Sequence, residues 1–276
     1  PVMVGATIAG FAYPMDDSSA ATLYYAQRLY QFPLGVFGIA IATAIFPLLS
    51  RCADSAEDFA AVLRRGIRLS LFIGIPAAVG LALVRDDLVG AVYLRGKFDA
   101  EDVPRVGMAL ACFAPAVWAY ALTHVLTRAF YAKGDTATPM RVGLATVGCN
   151  VALNLVLMWF MRESGLALAT AITAMMQSAV LMVIAGRRFR GPGAVLDRAT
   201  VRGIFASATS AAAMALAIFC VRLGWDARGE GWSGHAVSLT VDVTVGMGVY
   251  LGIAVMWKRE EWRMLIGGLL RRAERA

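Results

Sequence analysis

Charge is scarce in this chain. Asp, Glu, Lys and Arg make up 16% of its 276 residues, where a soluble domain carries about 25%. Histidine is nearly missing: His124 and His235 are the only two. A Ser-His or Cys-His catalytic pair therefore has little to be built from. GxSxG, HExxH, a Walker loop and GxGxxG are all absent, so the usual signatures of hydrolases and nucleotide sites are missing. We read the chain as a non-enzyme with no resident cofactor and no metal. The four cysteines, Cys52, Cys112, Cys149 and Cys220, share no CxxC spacing. Three of them sit inside apolar runs and read as buried, inert thiols. These absences exclude a disordered chain, a disulfide-stapled secreted domain and a basic nucleic-acid-binding domain, so nucleic acid is not an expected partner.

Apolar residues are plentiful instead, at 59% without counting glycine. Mean hydropathy is +0.65. Lipid is the natural solvent for such a surface. Seven apolar runs are long enough, or nearly so, to cross a bilayer: 29–50, 66–84, 106–127, 142–161, 164–186, 203–221 and 234–257. Their only formal charges are Arg68, at one end, and Asp242. The expected fold is all-α, a polytopic transmembrane bundle of seven complete spans. Residues 1–14 are too short to span, and the chain begins at Pro1 without a signal-peptide n-region. We read them as the remnant of a further span in a longer protein.

Basic residues orient the bundle. If the segment after residue 50 is cytoplasmic, eighteen of the 26 Lys and Arg fall on that side and seven on the other, with Arg28 left over. This bias puts the C-terminus in the cytoplasm. The tail 258–276 carries Trp262, Leu265, Ile266, Leu269 and Leu270 at helical spacing beside Arg271 and Arg272. It reads as an amphipathic helix on the inner leaflet, the alternative being a solvated tail. In the loop 51–65, Ser55 and Asp58 form a capping pattern that fits a short cytoplasmic helix. The loop Arg162-Glu163 is so short that its flanking spans must form a tight antiparallel hairpin.

Three polar constellations stand out. Arg28 sits on the non-cytoplasmic half of the first span, with Gln31 on the same face. It could snorkel within a belt of Tyr24, Tyr25 and Tyr30. Alternatively the helix starts near Ser19, bends at Pro33 and holds Arg28 in a water-filled cavity, where its planar fork suits a phosphate. Across the hairpin, Asn150 and Asn154 share a helix face, and depth counting lets Asn154 meet Thr170; Gln177 extends the stripe. Such a set serves as interhelical glue or as part of an ion or polar-ligand site. In Lys133-Gly134-Asp135-Thr136-Ala137-Thr138-Pro139, a turn at Gly134-Asp135 precedes a helix that Thr138 could cap, with Pro139 first inside it.

These stretches carry a family resemblance. The run from Leu23 to Arg51, LYYAQRLYQFPLGVFGIAIATAIFPLLSR, resembles the MurJ (MviN) lipid II flippases of bacteria. LTRAFYAKGDTATP, Leu126 to Pro139, and YLRGKF, Tyr93 to Phe98, are similar to later motifs of that family. The resemblance implies a fourteen-span protein of the multidrug/oligosaccharidyl-lipid/polysaccharide exporter superfamily. Residues 1–186 would be the remnant of span seven and spans eight to twelve. Residues 187–257 would be two extra spans forming a lipid-tail groove, and 258–276 the cytoplasmic tail. It implies translocation of an undecaprenyl-diphosphate-linked peptidoglycan precursor across the bacterial inner membrane by alternating access. Arg28 matches a cavity arginine that engages the diphosphate. The partners implied are that precursor, membrane lipids and a missing N-terminal bundle. A sodium site of some members maps onto Asn150, Asn154, Leu166 and Thr170. Here Asn154 stands where those members have a carboxylate, and residues 1–14 hold no acid. Asp242, inside the last span, could pair, snorkel or act. The rival functions are a related exporter of other lipid-linked oligosaccharides or drugs, and a membrane scaffold for cell-wall synthesis.

Overall fold

The computed structural model describes residues 17–96, 98–189, 197–224 and 231–256. The expected remnant at 1–14 and the amphipathic tail at 258–276 lie outside them. All regular structure among the described residues is helical. The elements are α1 (Asp17–Pro33), a π-helical turn (Leu34–Ile39), α2 (Ala40–Arg51), α3 (Ala56–Leu83), α4 (Arg85–Tyr93), α5 (Asp102–Ala132), α6 (Ala137–Arg188), α7 (Arg198–Gly224) and α8 (Trp232–Met256). Six continuous helical stretches are long and apolar enough to cross a membrane, α1 to α2 counting as one. The seven expected spans fall on these six because 142–161 and 164–186 are the two limbs of α6. Arg162 breaks that helix with φ 49° and ψ −131°. A non-glycine residue seldom adopts this backbone, so the reversal is concentrated at one position.

The limbs of α6 run antiparallel. Asn150 bonds Thr173. Nearer the turn, Gly165 lies against Leu157, where a Cβ would meet the Leu157 carbonyl oxygen at 2.4 Å. Only glycine permits that approach.

α5 is the central post. Some 67% of its most apolar stretch is buried, and no other spanning helix exceeds 44%. It touches α1, the π turn, α2, α3, α4 and α6. Ala116 and Ala119 on α5 pack with Ala171 and Ala174 on α6. Small residues of this kind let helices approach where lipid removes the hydrophobic drive between them. Phe113 is fully buried and stacks on Tyr30 of α1 at 4.7 Å.

Several local expectations need correction. Ser55 does cap α3, accepting from the Asp58 N–H. The helix it starts is no separate cytoplasmic piece, because it runs unbroken from Ala56 to Leu83. At the α5–α6 joint the capping side chain is Asp135, not Thr138. Asp135 accepts from both the backbone N–H and the hydroxyl of Thr138, at 3.0 and 2.7 Å. Those bonds, with the Arg188 guanidinium 2.6 Å away, hold the Asp135 carboxyl below the ordinary aspartate range. Lys133 donates to the Ala53 carbonyl, and its ammonium lies 4.5 Å over the Phe59 ring. This short signature loop thus ties together α3, α5 and both ends of α6. Cys149 and Cys220 are exposed rather than buried, and all four thiols are free. The sequence also missed α4, whose Asp86 and Asp87 occupy the first turn where acids favour a helix start.

α7 and α8 pack together beside the post. α7 lies on α3, and α8 on α4. Met214, Ile218, Tyr250 and Ala254 gather around Phe72 of α3, and the Tyr250 hydroxyl donates to the Phe72 carbonyl at 2.6 Å. Asp197 caps α7 by accepting from Thr200 N–H at 2.6 Å and lies 3.8 Å from Arg64 of α3.

The Gly165 contact sets the first test. Gly165→Ala should lower unfolding stability in detergent by about 1–3 kcal/mol, since the added methyl has no room. Gly148→Ala, which meets open space within 4 Å, should leave it unchanged or raise it. Equal effects of the two would show that the limbs do not meet as described.

Candidate functional site

Arg28 stands on the open face of α1. Ala21, Tyr24, Arg28, Gln31 and Gly35 are all exposed, while Leu23, Ala26 and Tyr30 are buried. The open residues recur every three or four positions, which makes one stripe along the helix. The three tyrosines do not form one belt: Tyr24 and Tyr25 meet edge to face at 6.0 Å, and Tyr30 stands apart. Tyr25 packs against Tyr93 and Phe98, with ring centroids 4.7 and 5.6 Å away. Tyr30 is in the core. Tyr24 alone accompanies Arg28: the guanidinium donates to its hydroxyl at 2.9 Å and lies 5.0 Å from its ring centroid. Among the described residues no carboxylate pairs with Arg28. Most of its fork of five N–H donors stays available.

The helix behind this stripe is long and carries a π turn. α1 and α2 form a continuous 33-residue stretch from Ser19, about 50 Å at 1.5 Å per residue. The π turn begins immediately after Pro33. Proline supplies no N–H to the helical ladder, and a π turn is a common accompaniment of a functional bend. The extended helix from near Ser19 is the one observed, with a π turn following Pro33. Behind the turn, a narrow void is lined by Leu34, Gly38, Ser70 and Gly74 among others. The buried Ser70 hydroxyl has no hydrogen-bond partner there.

The hairpin set is assembled in the expected register to within a residue, with a different pair of side chains bonded across it. Asn150, Asn154, Leu166, Thr170 and Thr173 are all at most 3% exposed. Asn154 Nδ2 donates to Asn150 Oδ1 at 3.1 Å, and Asn150 Nδ2 donates to Thr173 Oγ1 at 3.2 Å. The cross-limb bond is therefore Asn150–Thr173, one turn deeper than the anticipated meeting of Asn154 with Thr170. Thr170 instead donates to the Leu166 carbonyl at 2.9 Å, the i−4 partner that a helical threonine readily finds. Thr173 was missed, although it lies three residues from Thr170 on the same limb. Asn154 Oδ1 is buried without a partner. Among the described residues no group of three or more His, Cys, Asp or Glu could hold a metal. The oxygens gathered here are neutral, a weak offset for the lost hydration of a hard cation.

Charged residues cluster at the end of the bundle that holds Arg162. Arg105 bonds Glu163 at the hairpin tip, and it donates to Ser19 at the start of α1 at 3.0 Å. Asp242, flagged from sequence, is paired: it lies 2.6 Å from Arg222, which also reaches Asp87 at 2.7 Å. Neither Arg222 nor Asp87 was singled out, because both were read as loop charges.

This arrangement is a polytopic bundle of apolar helices long enough to cross a membrane, with one arginine on an exposed stripe. The description "Lipid II flippase MurJ" matches residues 2–260, and the chain belongs to that family. It is 34% identical over 244 residues to a probable lipid II flippase MurJ of Vibrio cholerae, covering 88% of this chain and 46% of that one. A probable lipid II flippase MurJ of Rhizobium tropici is 38% identical over 174 residues, covering 62% and 33%. The chain thus spans about half the length of the Vibrio cholerae relative. Among solved structures, an inward closed lipid II flippase MurJ shares the fold with a TM-score of 0.74 at 22% identity, covering 91% of this chain and 49% of that one. An outward-facing multidrug transporter of the MATE family shares it at 0.57 and 15% identity, covering 92% and 62%.

The hydrogen-bond order within the hairpin sets the next test. Asn150→Ala removes the middle of the chain and strands a buried donor on Asn154, at a cost of about 1–3 kcal/mol. Asn154→Ala should cost less, since one of its polar atoms is already without a partner. Thermal unfolding of the two variants in detergent checks the order; the reverse order would refute the assigned network.

Proposed function

We propose that this chain supplies the C-terminal half of a flippase for lipid-linked peptidoglycan precursor, lipid II. The observation that carries the reading is Arg28: a guanidinium without an acidic partner, on the exposed stripe of a long helix, in a chain of this family. A charge at membrane depth is costly unless it faces water or a counter-charge. A diphosphate crossing a hydrated cavity would supply that counter-charge, and Arg28 would bind it through two parallel hydrogen bonds, with Gln31 beside it on the same face. The polyprenyl tail would stay in lipid along α7 and α8, so the sugars and phosphates never enter hydrocarbon. The cavity's opposite wall would come from an N-terminal bundle of the family architecture. The role is transport, with no bond made or broken.

The protein would sit in the bacterial inner membrane with its C-terminus in the cytoplasm. The Arg162 end then faces outward. Cysteines placed at 95 and 228 in a cysteine-free background should react with an impermeant reagent from outside. Those at 135 and 195 should react only after permeabilisation. The opposite pattern inverts the orientation.

We propose further that the hairpin set works as structural glue and that transport has weak sodium dependence or none. A MATE-like drug exporter remains the nearest rival in fold, but such an exporter would favour acidic cavity residues, and Arg28 argues for an anionic cargo. In the full-length protein, Arg28→Ala should abolish complementation of a flippase-deficient strain at normal protein level. Arg28→Lys should restore only part, because an ammonium keeps the charge and loses the fork. Near-normal growth with Arg28→Ala would refute this role and favour a scaffold.

A further inference from the structure

We propose that the void between α3 and the π turn is a binding site for one water molecule, which joins the Ser70 hydroxyl to the backbone of the turn. Ser70 is 1% exposed. Its hydroxyl finds no hydrogen-bond partner within the protein. The void it borders has a volume of about 10 Å³ for a water-sized occupant, close to the least that one water needs. Pro33, Leu34 and Gly38 line it from the turn, Gly74 from α3 and Ala121 from α5. None of its lining residues is titratable, so hydrogen bonding alone selects the occupant. A purely apolar void of this kind stays dry; a buried hydroxyl changes that balance.

Two glycines shape the site. A Cβ on Gly38 would lie 2.9 Å from Leu34 Cδ1 and 3.2 Å from the Ala121 side chain. A Cβ on Gly74 would lie 2.9 Å from Trp118 Cα. The turn and α3 each rest backbone-close on α5 at a glycine. The space lies where these three meet, and Ser70 brings the hydroxyl to it.

Hydrogen-bond counting gives the site its ligand. A serine inside a helix readily returns its proton to a carbonyl one turn back, as Ser210 does to Ala206 at 2.7 Å. Ser70 does not, and a buried hydroxyl left unmatched is costly. The turn offers the complementary group. Pro33 carries no N–H, so the Leu29 carbonyl four residues earlier loses its usual helical donor. The same event in α3 shows how this bundle answers it. Pro76 deprives the Phe72 carbonyl of its donor, and the Tyr250 hydroxyl of α8 supplies one at 2.6 Å. At Pro33 the water does this work: it accepts from Ser70 and donates to a backbone carbonyl of the turn. Ordered waters and π adjustments are the means by which spanning helices resettle such groups. A water also turns freely, so it keeps its bond when the ladder passes between partners four and five residues apart. A fixed side chain could not.

A structure of the full-length protein at a resolution that shows ordered waters should place one water about 2.8 Å from Ser70 Oγ. The sign of one substitution gives a second reading. In a dry void, Ser70→Ala deletes a hydroxyl that satisfies nothing, and the thermal midpoint in detergent should rise. With the water bound, Ser70→Ala strands both the water and the carbonyl it serves, and the midpoint should fall by about 1–3 °C. We expect the fall. Density without a water at Ser70 overturns the proposal, and so does an unchanged or raised midpoint. If Ser70→Ala cannot be purified, the density of the unmutated protein decides alone. Neither readout involves a lipid substrate, so failure here leaves the role of Arg28 untouched.

Discussion

A charge in hydrocarbon must be neutralised or wetted, and the whole bundle is arranged around that requirement. Inside the protein the solution is pairing. Glu163, buried at the hairpin tip, takes Arg105; Asp242 and Asp87 share Arg222. Each of these pairs joins different helices, so the bonds that remove the cost also fix the packing. Arg105 brings α6 to the start of α1 through Ser19. Arg222 brings α8 and α4 to α7. Arg28 is solved differently: no acid reaches it among the described residues, and its face is open. The same rule that pairs the others demands water or an anion for Arg28.

Neutral polar groups obey a milder form of this constraint. Thr170, Thr173 and Ser210 return their hydroxyl protons to carbonyls of their own helices. Asn150 cannot do so, and its amide is spent on Asn154 and Thr173. The close alanine contact between α5 and the second limb then needs no polar bridge. The hairpin is held by one short hydrogen-bonded chain and by glycine-permitted backbone approach, which makes it a stiff unit on the central post.

The fold was legible because lipid-spanning helices declare themselves by length and by the side on which arginines gather. The hairpin could be read from two residues, Arg162-Glu163, that leave no room for anything else. Its register could be read to within a residue by depth counting; which polar side chains would bond across it could not, because Thr170 turns to its own helix and Thr173 takes the cross-limb bond. The structure puts the reversal entirely into Arg162. Asp242 was visible as a charge within a span. Its partners were not, since Arg222 and Asp87 lie at helix ends and read as ordinary loop charges. α4 was hidden for the same reason: nine residues with two acids look like a connection until Asp87 is seen turned inward. The tyrosines around Arg28 misled in the opposite direction. A belt is a statement about depth alone. Depth cannot tell that Tyr25 and Tyr30 face the core while Tyr24 faces out.

The π turn after Pro33 separates two differently anchored halves of one long helix. On one side of the π turn, α1 is anchored by Tyr25 on Tyr93 and Phe98 and by Tyr30 on Phe113. On the other, Ile41, Ile45 and Leu49 of α2 belong to a second core with Phe59, Ile67 and Phe130. The two anchors sit in separate clusters, and the turn between them has exposed residues and a void behind it. Arg28 lies five residues before Pro33, on the anchored side. Any change in the angle at the turn would therefore leave Arg28 fixed to its own half and swing α2 relative to it.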